Sequence, residues 1–142
     1  MTMAERVSFF NGRLQEYQSS VSFDAASSVF VAHFIKGREE RLAYFRSIAA
    51  NVKPGGLLIL ADLFGDKSSP EFARLLNAWL FSYASHGVSS EELIQDRTHV
   101  ERDVAFIPES ELVALLKEAG FSSPLRFYQT YLFGAWVATR DV

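Results

Sequence analysis

Cysteine is absent from the 142 residues, which excludes disulfides, thiol catalysis and cysteine-ligated metal. No apolar run approaches the ~18 residues of a membrane-spanning helix. The opening stretch, Met1 to Arg6, lacks the apolar core of a secretory signal. Positive charge is scarce too. The formal net charge is −3 and lysine and arginine form no run, so nothing here offers nucleic acid or a membrane an electrostatic footprint. The three histidines, His33, His86 and His99, are scattered without HxH or HExxH spacing, so no metal site is expected. Ser27-Ser28 lacks the glycines of a nucleophile elbow. These absences leave a soluble, cytoplasmic α/β domain as the expectation.

Apolar residues are plentiful, at 49% of the chain with thirteen phenylalanines, enough to bury a core in one domain. The sequence turns on Lys53-Pro54-Gly55-Gly56, which should stop a helix, turn, and launch the strand Leu57–Leu63. That strand is almost wholly apolar, as one covered on both faces must be. Upstream, Phe23 to Ile35 reads as a second strand, and Arg38 to Ala50 between them has helical periodicity. Strand, helix, strand predicts two parallel neighbours. A short strand, Val7-Ser8-Phe9-Phe10, should precede them, closed by the turn pair Asn11-Gly12. Ser69 before Pro70 predicts a helix start, and Phe72, Leu75, Leu76, Trp79, Leu80 and Tyr83 form its apolar stripe up to His86-Gly87. Ser89 and Glu92 have capping-box spacing ahead of a polar helix. A further helix stops at Ala119-Gly120, and the strands Leu125–Tyr131 and Phe133–Thr139 should form an antiparallel pair.

The stretches FDAASSVFVAHFI, NVKPGGLLILADL and EAGF, the last introducing a closing strand pair, together resemble the class I S-adenosylmethionine-dependent methyltransferases, in their C-terminal half only. The run from Arg97 through FIPESELVALLKEAGF to FYQTYLFGAWVATR is similar to the carboxy-S-adenosylmethionine synthase branch, whose product serves tRNA modification. The resemblance implies a partial Rossmann-like sheet with strands like the family's third to seventh and helices on both faces. It implies S-adenosylmethionine as cofactor, with no metal. Residues 1–142 are read as a single domain without the family's glycine-rich N-terminal half, so binding by this chain alone is not expected.

By the same resemblance, Gly12, Arg13 and Leu14 occupy the turn after the family's third strand, where Gly-Asp commonly meets adenine; arginine cannot accept that hydrogen bond. Ser28 and Val29 fall where the branch has an Asn. Arg97 matches an Arg that binds the modified cofactor's carboxylate, a task suited to a planar fork, while a surface pairing with Glu101 or Glu92 is the alternative. Asp62, ending a strand near the carboxyl rim where α/β sheets place ligands, is either a site residue or a cap. His33, after the family's fourth strand, is a weak candidate for a general base. Two functions stay open: a methyltransferase-like chain not competent alone, or a dimeric binding module that has lost catalysis. A homodimer is expected, because the family's fourth strand would become an edge and Phe72, Trp79 and Tyr83 would offer an aromatic stripe.

Overall fold

The computed structural model describes residues 7–84 and 87–142; His86 and the opening Met1–Arg6 lie outside them. The elements are β1 (Phe23–Val29), α1 (Arg38–Asn51), β2 (Val52–Leu63), α2 (Pro70–Ala84), α3 (Ser90–Asp103), α4 (Glu109–Glu118), β3 (Phe121–Thr130) and β4 (Phe133–Arg140). They build a four-stranded sheet of order β1-β2-β4-β3. The first pair is parallel and the other two are antiparallel.

The lysine–proline–glycine segment works differently from the expectation. Val52 already pairs with Phe23, Lys53 to Gly56 bulge out, and the ladder resumes at Ala25 and Leu57. Gly55 takes φ 78°, the left-handed conformation that glycine adopts without penalty. At Gly56 a Cβ would lie 2.7 Å from the Asp24 carbonyl oxygen, so only glycine lets β1 and β2 approach there.

Two other expectations need correction. Val7–Phe10 belongs to no strand, so β1 is the edge of the sheet; four residues are too short to secure pairing by themselves. The strand from Phe23 stops at Val29 instead of Ile35. Phe30 turns into the left-handed region, with φ 55°, and its N–H donates to the Ala61 carbonyl at 2.8 Å. A 3₁₀ turn over Ala32–Phe34 follows. The apolar letters of Val31-Ala32-His33-Phe34-Ile35 resemble a strand, but tertiary contacts take them into a turn.

The core divides by sheet face. Leu58, Leu60, Trp136 and Ala138 pack against Leu42, Phe45 and Ile48 of α1 and Leu112, Leu115 and Leu116 of α4. Alternate residues point the other way. There α2 covers only the end row, where Leu63 packs with Trp79 and Leu76 and the Trp79 and Phe133 rings meet at 4.7 Å. Helices therefore lie on both faces, but unevenly. Phe72 and Trp79 are buried in this smaller cluster, while Tyr83 of the same stripe is exposed. The caps follow the sequence: Ser69 Oγ accepts from Phe72 N at 3.1 Å, and Ser89 with Glu92 forms the capping box of α3. No helix among the described residues is long and apolar enough to cross a membrane.

One charged side chain joins these layers. Arg41 of α1 is 3% exposed. It donates from Nε and an Nη to the Ile35 carbonyl at 3.2 and 2.7 Å, and to the Ala105 carbonyl at 2.8 Å. Burial pushes its pKa down, opposed by the charges of Asp62 and Glu111. Replacement by methionine keeps the stem but strands two carbonyls, so Arg41→Met should lower stability by about 3 kcal/mol. Urea unfolding of both proteins, compared at equal slope, measures it.

Candidate functional site

The carboxyl ends of β1 and β2, the parallel pair, lie side by side at the rim where open α/β sheets place ligands. Each contributes one buried polar residue. Asp62, next to last in β2, points to the α1 face, the same side as Leu58 and Leu60. His33 arrives from the 3₁₀ turn that the left-handed Phe30 makes possible. The two side chains are hydrogen-bonded, His33 Nδ1 to Asp62 Oδ1. That oxygen also accepts from the backbone N–H of His33 at 3.3 Å and of Leu63 at 2.9 Å.

The geometry sets the histidine's tautomer. A carboxylate can only accept, so Nδ1 carries the hydrogen and Nε2 keeps the opposite role. No hydrogen bond involves Nε2 among the described residues, and His33 as a whole is buried, at 3% exposed. Phe34 at 4.1 Å and Phe30 at 6.4 Å between centroids enclose the ring. An imidazole oriented through one nitrogen, with the other not engaged by the described residues, has the form of a general base. The His33 carbonyl accepts from Ala105 N at 2.8 Å, which ties the same turn to the segment held by Arg41.

Among the described residues, no hydrogen bond or ion pair joins the other predicted site residues to this pair. Gly12 and Arg13 lead into a 3₁₀ turn over Leu14–Glu16. A Cβ on Gly12 would meet the Phe10 ring at 2.7 Å and a Glu16 carboxylate oxygen at 3.3 Å. Ser28 is buried, its hydroxyl 2.8 Å from that of Tyr44, while Val29 is exposed. Arg97 is half-buried on α3, with Nε on Glu101 at 3.1 Å and an Nη on Asn77 at 2.9 Å. No hydrogen bond or ion pair joins it to His33 or Asp62 among the described residues. A cleft of about 810 Å³ opens elsewhere, beside β1 and α1, with Leu14, Tyr17, Phe23, Tyr44 and Ile48 in its wall. It offers volume without the oriented polar pair, so the rim is the better candidate for chemistry.

Comparison with known proteins gives this arrangement a lineage. No family model matches the chain. The carboxy-S-adenosyl-L-methionine synthase of Geobacter sp. (strain M21) is 33% identical over 126 residues, covering 84% of this chain and 50% of that protein. The synthase of Aeromonas hydrophila is 29% identical over 112 residues, covering 79% and 45%. Among solved structures, the S-adenosylmethionine-dependent methyltransferase SibL aligns with a TM-score of 0.66 at 18% identity, over 99% of this chain and 37% of that one. Human N-acetylserotonin methyltransferase in complex with SAM aligns at 0.65 and 16%, over 99% and 36%.

This is the C-terminal half of the class I S-adenosylmethionine-dependent methyltransferase fold. The chain spans about half the length of the curated relatives it matches. Of the residues assigned to the cofactor in this methyltransferase half, Ser28 has its hydroxyl engaged by Tyr44 and Val29 offers no polar side-chain atom, while a cavity of about 530 Å³ lies beside Phe10, Gly12 and Leu14.

Arg41 and Tyr44 are the polar residues that sequence reasoning passed over. Their signal was present: with Phe45 and Ile48 they share the apolar face of α1, and a polar group on such a face must find partners inside. Burial raises the Tyr44 pKa; the Ser28 hydrogen bond opposes this and the Asp62 charge adds to it.

The Asp62–His33 pair yields a first prediction. Asp62→Ala strands two backbone N–H groups and the imidazole, and should cost about 2–4 kcal/mol. A cycle with His33→Ala should show about 1–3 kcal/mol of coupling in urea unfolding; additive losses would sink the pairing. A second follows from Tyr44. A raised folded-state pKa means the unfolded chain ionises first, so this contribution is intact below the ordinary tyrosine value of 10.0 and lost as pH rises beyond it. Tyr44→Phe should therefore destabilise at neutral pH, by about 1–2 kcal/mol for the orphaned Ser28 hydroxyl. It should then lose less than the wild type between neutral and strongly alkaline pH.

Proposed function

We propose that this chain is a methyltransferase-like module that neither binds S-adenosylmethionine nor transfers a methyl group by itself. The observation that carries the reading is the engagement of the buried Ser28 hydroxyl by that of Tyr44 at 2.8 Å, beside Val29, which offers no polar side-chain atom. The chemistry the cofactor supplies when bound to a methyltransferase is an electrophilic methyl group. On this chain, the residue equipped for the acceptor side is His33, which Asp62 orients so that Nε2 can take a proton from an acceptor's O–H or N–H. Arg97, already engaged by Glu101 and Asn77, contributes a carboxylate contact only if those partners are exchanged.

A second reading, a non-catalytic assembly module, is favoured by the uncovered side of the sheet. There Leu57 and Ile59 of β2 and Leu125 of β3 stand exposed on either side of β4.

Calorimetric titration of the purified chain with S-adenosylmethionine and S-adenosylhomocysteine tests the proposal. The expected result is no saturable heat at millimolar ligand, meaning a binding free energy weaker than about −4 kcal/mol. Saturable binding in the micromolar range, abolished by Arg13→Ala or Arg97→Ala, would overturn it.

A further inference from the structure

The cleft beside β1 and α1 is built by three segments. Residues 7–21 pass along it without joining the sheet. They are fastened where Leu14 packs on the core and where the Ser19 backbone N–H donates to Asn51 Oδ1 at 3.3 Å. The Asn51 side chain is held in turn, donating from Nδ2 to the Ser47 carbonyl at 2.9 Å. Between this strap, β1 and α1 lies the cavity of about 810 Å³, walled by Leu14 and Tyr17, by Phe23 and Ala26, and by Tyr44 and Ile48. That falls within the ~300–1,000 Å³ of small-molecule sites.

The walls select by charge. Among the described residues none that lines the cleft is charged, so an ion entering it would lose hydration and gain no counter-charge. S-adenosylmethionine, with a sulfonium, an ammonium and a carboxylate, has the wrong chemistry for it. The rings of Tyr17, Phe23 and Tyr44, set among aliphatic side chains, suit a flat and uncharged molecule.

One wall residue adds direction. Tyr44 is 9% exposed, and its hydroxyl lies 2.8 Å from that of Ser28, which is 3% exposed. Two hydroxyls hold two hydrogens, and the bond between them uses one. If Tyr44 donated, the Ser28 hydrogen would be stranded, because that hydroxyl has no other partner among the described residues. The satisfied arrangement has Ser28 donating, which leaves the Tyr44 hydrogen for whatever fills the cleft. We propose that the cleft binds an uncharged aromatic small molecule whose carbonyl or ring-nitrogen acceptor takes that hydrogen bond. This goes beyond the methyltransferase-like reading and does not rest on it.

Fluorescence titration of the full chain with 6-propionyl-2-dimethylaminonaphthalene tests it, an uncharged aromatic ketone whose emission moves to the blue out of water. The wild type should give a saturable blue shift at one molecule per chain, half-complete at about 1–100 μM. Tyr44→Phe should weaken binding about five-fold, the loss of one neutral hydrogen bond. Ala26→Phe puts a ring into the cleft and should abolish saturation. Val31→Trp, at a wall residue 42% exposed, should do the same with less strain on the fold. Each variant is compared once its circular dichroism matches the wild type, and Phe81→Ser, at an exposed residue of α2, should bind as the wild type does. No saturable shift, an unchanged affinity in Tyr44→Phe, or binding kept in both blocked variants would overturn the inference. Displacement of the probe by millimolar S-adenosylmethionine would overturn it together with the proposed function, whereas failure of the probe alone would leave that function standing.

Discussion

A carboxylate with almost no water contact holds the carboxyl ends of the two parallel strands in one place. Asp62 gathers the imidazole and backbone of His33 and the backbone of Leu63, so the turn after β1 is fixed to the end of β2. Arg41 lies close enough for its charge to be felt, and its guanidinium ties the Ile35 carbonyl to that of Ala105. The segment before α4 thereby joins the same knot. Buried charge of this kind is costly unless every polar atom is satisfied. Here the satisfaction is complete among the described residues. A rim built this way is rigid, and rigidity is what an oriented imidazole requires.

The same sheet shows how unevenly burial can be distributed in a small α/β chain. One face carries two helices and a continuous core around Phe45, Leu58 and Trp136. The other receives α2 only at its end, through Trp79 and Phe133. Methyltransferases that share this fold are about twice as long or longer where they align, so the fold alone does not require this chain to cover its own sheet.

The function follows from which groups are engaged and which are not. The Ser28 hydroxyl and the Arg97 guanidinium already have partners from this chain. At His33 the engaged nitrogen leaves its neighbour available. A site is made as much by the second condition as by the first, and the proposed division between acceptor side and cofactor side rests on that contrast.

Local signals were enough for much of the architecture. The periodicity of Arg38 to Ala50, the capping box at Ser89, the proline after Ser69 and the apolar run Leu57–Leu63 each act within a few residues, and each stands where the sequence placed it. The resemblance carried by the glycine-bearing turn and the closing strands likewise reached the right half of the right fold. What the sequence could not decide depended on distant partners. Val7–Phe10 is apolar enough for a short strand but finds no ladder. Val31–Ile35 is apolar enough for a strand, yet it becomes a turn because Phe30 bonds to Ala61 and His33 to Asp62. His33 and Asp62, 29 residues apart, were separate candidates in the sequence and one pair in the fold. Hydrophobic period and capping are properties of neighbours along the chain; pairing of strands, burial of a face and the union of two polar residues are settled only when remote segments meet.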